Sequence, residues 1–181
     1  ASAAASTTVL RSTLRTSRAW ALNPNGTIPT LVDGPLGPGS LQVWVDTEPS
    51  DNEALVDLVP SDAVPLEGWF RVIDGLDATE RSVTVVHADD PFLRRLAVFD
   101  CVINNADREG GHILASGGRV FGCDHGIGFN PEPKLRTLLW GWSGSQLTDE
   151  ERDLVAAARD GAGDTLSALL AGDEIAAVRR R

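Results

Sequence analysis

Apolar residues recur at helical spacing after residue 90. The stripe consists of residues three or four positions apart: Phe92, Leu96, Phe99 and Ile103. This spacing predicts a mostly buried helix. Asp90 is a favourable N-cap, and Pro91 fits the first helical position because its missing N–H is not needed there. Asn104 and Asn105 predict the helix end, since asparagine tolerates the left-handed conformation.

Shorter β-type runs precede this helix. TIPTLV and SLQVWV flank a Gly/Pro-rich turn and predict an antiparallel hairpin over residues 27–46, while GWFRVID and RSVTVVH predict extended segments. EPSDNEALVDLVP is compatible with a short helix. Near the C-terminus, Thr148 and Asp164 are placed to open two helices, and Arg179–Arg181 suit the negative end of the last one. This mixture of predicted strands and helices indicates an α+β fold.

Gly117-Gly118 separates two short apolar runs and predicts a tight hairpin turn. In that register Ser116 faces Arg119, and His112 lands opposite Cys123. The hairpin would therefore bring Asp107, His112 and Asp124 to one end. Two carboxylates beside an imidazole form an arrangement that can hold a divalent cation, and phosphoryl transfer needs such a pair.

Charge and cysteine content narrow the functional classes. The net charge is −10, and residues 1–32 contain three arginines and no acid, so the remaining residues carry −13. This balance argues against nucleic acid or an anionic membrane surface as the main partner. The sequence contains no run of about 18 apolar residues, so it predicts no membrane span. Cys101 and Cys123 lack disulfide or metal-site spacing, so we expect buried thiols in a reducing, cytoplasmic setting.

Three segments carry a family resemblance. They read PTLVDGPLGPGSLQVW, VHADDPFLRRLAVFDCVINNADREGGHIL and DHGIGFNPEPKLRTLLWGW. They resemble the actinobacterial phosphatidylinositol 3-/4-kinase-like family, whose pattern is D-R-H-x-x-N, a hairpin and then D-x-G. The resemblance implies a protein-kinase-like C-terminal lobe with a partial or degenerate N-terminal lobe. It divides the chain into a poorly ordered or partial segment 1–26, a lobe-linking hairpin 27–46 and a mostly helical lobe 47–181.

The resemblance also implies residue roles. Asp107 would be the catalytic aspartate, with Arg108 as its catalytic-loop neighbour, and Asp124 would bind metal. His112 falls where the superfamily places a metal-binding asparagine. The backbone that meets the adenine of ATP would be supplied by four consecutive residues: Gln42, Val43, Trp44 and Val45. The implied cofactors are ATP and Mg²⁺ or Mn²⁺, and the implied partners are nucleotide and a hydroxyl-bearing lipid headgroup, protein or metabolite.

Departures from the family pattern leave alternatives open. Glu109 replaces the usual histidine, and His112 replaces the asparagine, which favours softer metals than Mg²⁺. Residues 1–28 contain neither the lysine nor the glutamate with which kinase-like folds hold ATP phosphates. A pseudokinase that binds without turnover is therefore one alternative. A metal-dependent hydrolase built on His112, Asp124 and His125 is another.

Overall fold

The computed structural model describes residues 30–35, 37–41, 46–47, 55–65 and 67–181. The chain divides into two units, with the boundary after residue 44. The predictions for residues 1–26, and for the adenine contacts at Gln42, Val43, Trp44 and Val45, lie outside the described residues.

The first unit contains the predicted hairpin. Strand β1 (Thr30–Gly34) pairs antiparallel with β2 (Gly37–Leu41). The turn is shorter than the Gly/Pro-rich segment DGPLGPG that the sequence suggested. Asp33 pairs with Pro38, and only two residues separate the strands. Thus part of the Gly/Pro-rich segment belongs to the strands themselves.

The second unit begins with a three-stranded antiparallel sheet in the order β3-β5-β4. Its strands are β3 (Val56–Pro60), β4 (Trp69–Leu76) and β5 (Ser82–Ala88). The two predicted extended segments are confirmed. The short helix suggested before residue 60 is wrong for residues 56–60, whose β-branched and apolar residues pair along the central strand β5. The rest of that suggestion, residues 48–54, lies outside the described residues.

Helix α1 (Pro91–Ile103) follows the predicted boundaries. The Asp90 carboxylate accepts hydrogen bonds from the first-turn amides, and Asn104 ends the helix at φ 54° and ψ 50°. Its buried face is formed by Leu93, Leu96, Asp100 and Ile103. This face is rotated by about one residue from the predicted stripe, so Phe92 is 37% exposed rather than buried.

The predicted Gly-Gly hairpin is also confirmed. A 3₁₀ turn at Gly110–His112 leads into β6 (Ile113–Ser116), which pairs with β7 (Arg119–Gly122). Gly117 and Gly118 have φ of 57° and 72°, as a two-residue turn of this kind requires. Beyond the strands, the Cys123 amide donates to the His112 carbonyl at 3.0 Å, which extends the pairing in the predicted register.

Two helices complete the chain, α2 (Asp149–Leu166) and α3 (Gly172–Arg180). Thr148 opens α2 with a capping box, as predicted. Asp164 does not start a helix; it lies inside α2. The helix continues through its glycines because Ala162 and Leu166 are buried against Val178. At Gly163, an added Cβ would meet the Arg179 side chain.

The main core lies between α1, the hairpin and neighbouring segments. Its buried apolar members are Leu55, Leu93, Leu96, Ile113, Ala115, Val120 and Leu139. The described part of residues 47–181 is a mixture of helices and small sheets rather than mostly helical, and the α+β class is confirmed. Within the described residues, no helix combines the length and apolar character needed to cross a bilayer. Cys101 is exposed, contrary to prediction, because it lies outside the buried face of α1.

Candidate functional site

A buried ion pair lies behind the loop that carries Asp107. The Arg108 guanidinium meets the Asp100 carboxylate through two nitrogens, with Nη2–Oδ1 at 2.8 Å and Nε–Oδ2 at 3.0 Å. Both side chains are 0% exposed. Asp100 projects from the buried face of α1, so the pair ties this helix to the loop.

Two further side chains complete the surroundings of Asp100. The Asn105 amide donates to Oδ1 at 2.9 Å, and the Thr137 hydroxyl donates to Oδ2 at 3.2 Å. The loop backbone is also held, since the Arg108 amide donates to the Arg136 carbonyl at 3.0 Å. Each oxygen of the buried carboxylate therefore has several donors, as a desolvated charge requires.

The same arginine reaches the open end of the hairpin. Its Nη1 donates to the carbonyls of His112 at 3.1 Å and Cys123 at 2.9 Å. His112 immediately precedes β6, and Cys123 immediately follows β7. All described contacts of the guanidinium are thus to protein groups. The Arg108 guanidinium is 0% exposed and contacts no open surface, so the structure gives Arg108 a structural part beside Asp107.

Asp107 is positioned through its backbone. Its amide donates to the Asn105 Oδ1 atom at 3.1 Å, and its carbonyl lies 2.8 Å from His112 Nδ1. A carbonyl only accepts, so Nδ1 carries the proton in this contact, which is much shorter than the 3.5 Å approach of the Glu109 amide to the same nitrogen. In the neutral ring, the Nε2 lone pair of His112 is then available on the opposite side.

Asp124 lies on that opposite side. Its Oδ2 atom is 3.8 Å from His112 Nε2, and its side chain is 67% exposed. The residue has φ 51°, a left-handed conformation that aspartate tolerates better than most residues do. The structure therefore places the Asp107 backbone carbonyl and the Asp124 carboxylate on the two sides of the His112 imidazole.

His112 Nε2 and Asp124 Oδ2 lie close enough together for one cation to touch both. Two ligands about 2.1 Å from one metal are at most about 4.2 Å apart, and the 3.8 Å between His112 Nε2 and Asp124 Oδ2 is within that limit. A backbone carbonyl that fixes Nδ1 is a usual way to orient a ligating histidine. Across the described ranges, no group of three or more His, Cys, Asp or Glu side chains is arranged for a metal. Phosphate and water would have to supply the other ligands, as they do for nucleotide-bound Mg²⁺.

His125 does not join this pair. Its ring packs edge-to-face on Phe99 at 5.2 Å, and its Nε2 atom is buried without a hydrogen-bond partner. Burial, followed by the nearby Arg108 charge, lowers the pKa of His125 to about 4. The hydrolase alternative, with three ligands at His112, Asp124 and His125, therefore lacks its third member.

The sequence interpretation missed Asp100 and Thr137. Asp100 occupies a position on the apolar face of α1, and a charged residue there needs a buried partner. That placement was visible in the sequence and could have indicated the ion pair. Thr137 carried no comparable signal, because only the tertiary fold brings it to Asp100.

The chain is similar to Protein Rv2133c of Mycobacterium tuberculosis, with 44% identity over 178 residues. The match covers 92% of this chain and 63% of that protein, so the chain spans less than two thirds of its relative. No protein-family model matches the chain. No solved structure matches it either.

Proposed function

We propose that this chain is part of an ATP- and divalent-cation-dependent phosphotransferase with a kinase-like C-terminal lobe. The observation that carries the proposal is the placement of His112, whose ring lies between the Asp107 carbonyl at 2.8 Å and the Asp124 carboxylate at 3.8 Å. The D-R…H…D-x-G spacing and this geometry both favour Asp107, His112 and Asp124 as the residues of the site. No part of the proposal depends on the name of the mycobacterial relative.

Each residue has a distinct part in the proposed reaction. The Asp107 carboxylate orients the acceptor hydroxyl and accepts its proton as the hydroxyl oxygen forms a bond to the γ-phosphorus. The bond from that phosphorus to the β–γ bridging oxygen breaks, and ADP is the leaving group. Asp124 Oδ2 and His112 Nε2 would hold the cation. A bound divalent cation would neutralise charge on the phosphates.

The acceptor belongs to a hydroxyl-bearing class. Lipid headgroups, proteins and metabolites all offer such a group. The net charge of −10 disfavours approach to an anionic membrane surface. We therefore favour a protein or metabolite hydroxyl and a cytoplasmic location.

A pseudokinase is the second candidate, and the lysine content favours it. The sequence has one lysine, Lys134, whose exposed Nζ lies 3.8 Å from Glu132 in a loop. Kinase-like enzymes use a lysine to hold ATP phosphates during transfer. Without such a residue, nucleotide and metal would bind while transfer is slow or absent.

Nucleotide binding and turnover separate the two candidates. Thermal unfolding with ATP and Mg²⁺ or Mn²⁺ measures binding, and release of ADP measures turnover. We expect Asp124→Asn to lose the thermal shift, and Asp107→Asn to keep the shift while losing turnover. Asp153→Asn, an exposed carboxylate on α2, is the matched control and should behave as wild type.

The outcomes are distinguishable. Turnover that needs Asp107 supports the enzyme. A thermal shift that needs Asp124, with no turnover in wild type, supports the pseudokinase. The proposal fails if nucleotide and metal give no shift, or if Asp107→Asn retains full turnover.

A further inference from the structure

The Asp100–Arg108 pair is difficult to explain as a stabilising interaction alone. Both side chains are 0% exposed, and their charged groups meet at 2.8 Å. Removing two charges from water carries a large desolvation cost, and apolar residues of similar size often stabilise a core as well or better. The contacts of the pair point to another role.

Asp107, His112 and Asp124 each lie next to a contact of this pair. Arg108 is the covalent neighbour of Asp107, and its Nη1 holds the carbonyl of His112 at 3.1 Å. The same nitrogen holds the Cys123 carbonyl at 2.9 Å, immediately before Asp124. A planar guanidinium that is fixed on one edge by Asp100 can hold both carbonyls in one geometry.

The pair also controls local charge. A guanidinium that reaches the Cys123 carbonyl would repel a cation at Asp124 if it were not neutralised. Asp100 supplies the compensating charge at 2.8 Å and is itself held by the Thr137 hydroxyl at 3.2 Å. Asp100 therefore allows an arginine to organise a site for a cation.

We propose that Asp100 is a positioning residue that acts through Arg108 to keep Asp107, His112 and Asp124 in one arrangement. It touches neither substrate nor cation. The part of this inference that concerns reaction rate rests on the proposed phosphotransferase function. The part that concerns the arrangement of the backbone does not.

The test replaces each of two ion pairs by apolar residues. In the first variant Asp100→Leu is combined with Arg108→Met, which removes the pair without leaving an unpaired buried charge. The control combines Arg94→Met with Glu151→Leu and removes a second pair on the same helix, which holds the start of α2. Asp100→Asn alone is less suitable, because it leaves a buried arginine unpaired and could unfold the protein.

Amide hydrogen exchange measures the arrangement directly. In the first variant, we expect exchange to rise at least tenfold at the amides of Asp107 and Cys123, with the Ala88 amide of β5 unchanged. In the control, those two amides should exchange as in wild type. With ATP and the cation present, kcat should fall about 100-fold in the first variant only, since misplacement by about 1 Å has effects of that size.

Each outcome decides the inference. Faster exchange at the two amides with a lower kcat supports it. Faster exchange in a protein whose wild type shows no turnover supports the positioning role and counts against the phosphotransferase. Unchanged exchange, or an unchanged kcat despite faster exchange, overturns the inference.

Discussion

Two of the ion pairs that helix α1 forms differ in what they organise. Arg94 pairs with Glu151 through Nε–Oε1 at 2.7 Å and Nη2–Oε2 at 3.0 Å, with side chains 22% and 6% exposed. Asp100 pairs with Arg108 with both side chains 0% exposed. The geometry is similar in both pairs. The difference lies in the groups that their remaining hydrogen bonds hold.

The Arg94–Glu151 pair joins two helices. Glu151 Oε2 also accepts from the Thr148 amide at 2.8 Å, and Arg94 Nη2 donates to the Gln146 carbonyl at 2.8 Å. These bonds fix the first turn of α2 against α1. The Asp100–Arg108 pair instead fixes a loop and the open end of a hairpin. One pair therefore stabilises packing, and the other sets the geometry of the candidate site.

Single substitutions should separate the two pairs by their energetic cost. Asp100→Asn leaves a fully buried guanidinium unpaired and should lower the free energy of unfolding by about 3–5 kcal/mol. Glu151→Gln removes a partly exposed charged hydrogen bond and should lower it by about 1–3 kcal/mol. Denaturant unfolding measures both values. Equal losses would contradict the distinction between the pairs.

Close packing behind the pair gives a second test. A Cβ at Gly122 would lie 2.8 Å from Leu96 Cδ1 and 3.4 Å from Arg108 Nη2. Gly122→Ala should therefore lower the free energy of unfolding by about 1–3 kcal/mol. Gly111→Ala, where a Cβ would meet nothing within 4 Å, is the matched control. If denaturation shows similar stabilities for the two variants, the packing around Arg108 is looser than described.

His125 predicts a pH dependence for the region beside the site. Burial lowers its folded-state pKa to about 4 from an ordinary value of 6.5. Between these values the unfolded chain binds the proton and the folded chain does not, so stability falls as pH decreases from 6.5 to 4. His125→Leu should remove this part of the dependence in denaturant unfolding at a series of pH values. Curves that remain parallel to wild type would show that His125 is not buried as neutral imidazole.

The Arg94–Glu151 pair predicts a pH dependence of stability at lower pH. The hydrogen bond from Arg94 is the largest cause that lowers the pKa of Glu151 to about 2 from an ordinary value of 4.5. The resulting stability is present above pH 4.5 and is lost as pH falls toward 2. The unfolding free energy of Glu151→Gln should lack this loss, so the difference between wild type and variant should shrink as pH falls from 4.5 toward 2. The same slope in both proteins would argue against the pair.

Local signals predicted the parts of the fold that depend on neighbouring residues. Asp90 and Asn104 mark the ends of α1, and Gly117-Gly118 sets the hairpin register, because caps and tight turns involve few residues. Asp164 was misassigned as a helix start: it lies inside α2, whose last turns pack against α3. Tertiary contacts can override such local signals.

In the candidate site, too, local signals were predictable and tertiary contacts were not. The register alone placed His112 beside Asp124, and the structure confirms that proximity. The hydrogen bond from Thr137 to Asp100 could not be predicted, because 37 residues separate them in the sequence. The choice of Arg108 as a catalytic residue reflected its sequence position beside Asp107. Its burial became apparent only from the fold.

Paramagnetic relaxation tests the central claim most directly, which is that His112 and Asp124 hold one cation beside Asp107. Mn²⁺ is added with ADP to ¹⁵N-labelled protein, and amide signals are followed by NMR. We expect selective broadening of the amides near these three residues, lost in Asp124→Asn, with the Asp153 amide unaffected. Broadening centred elsewhere, or broadening that persists in Asp124→Asn, would contradict the account.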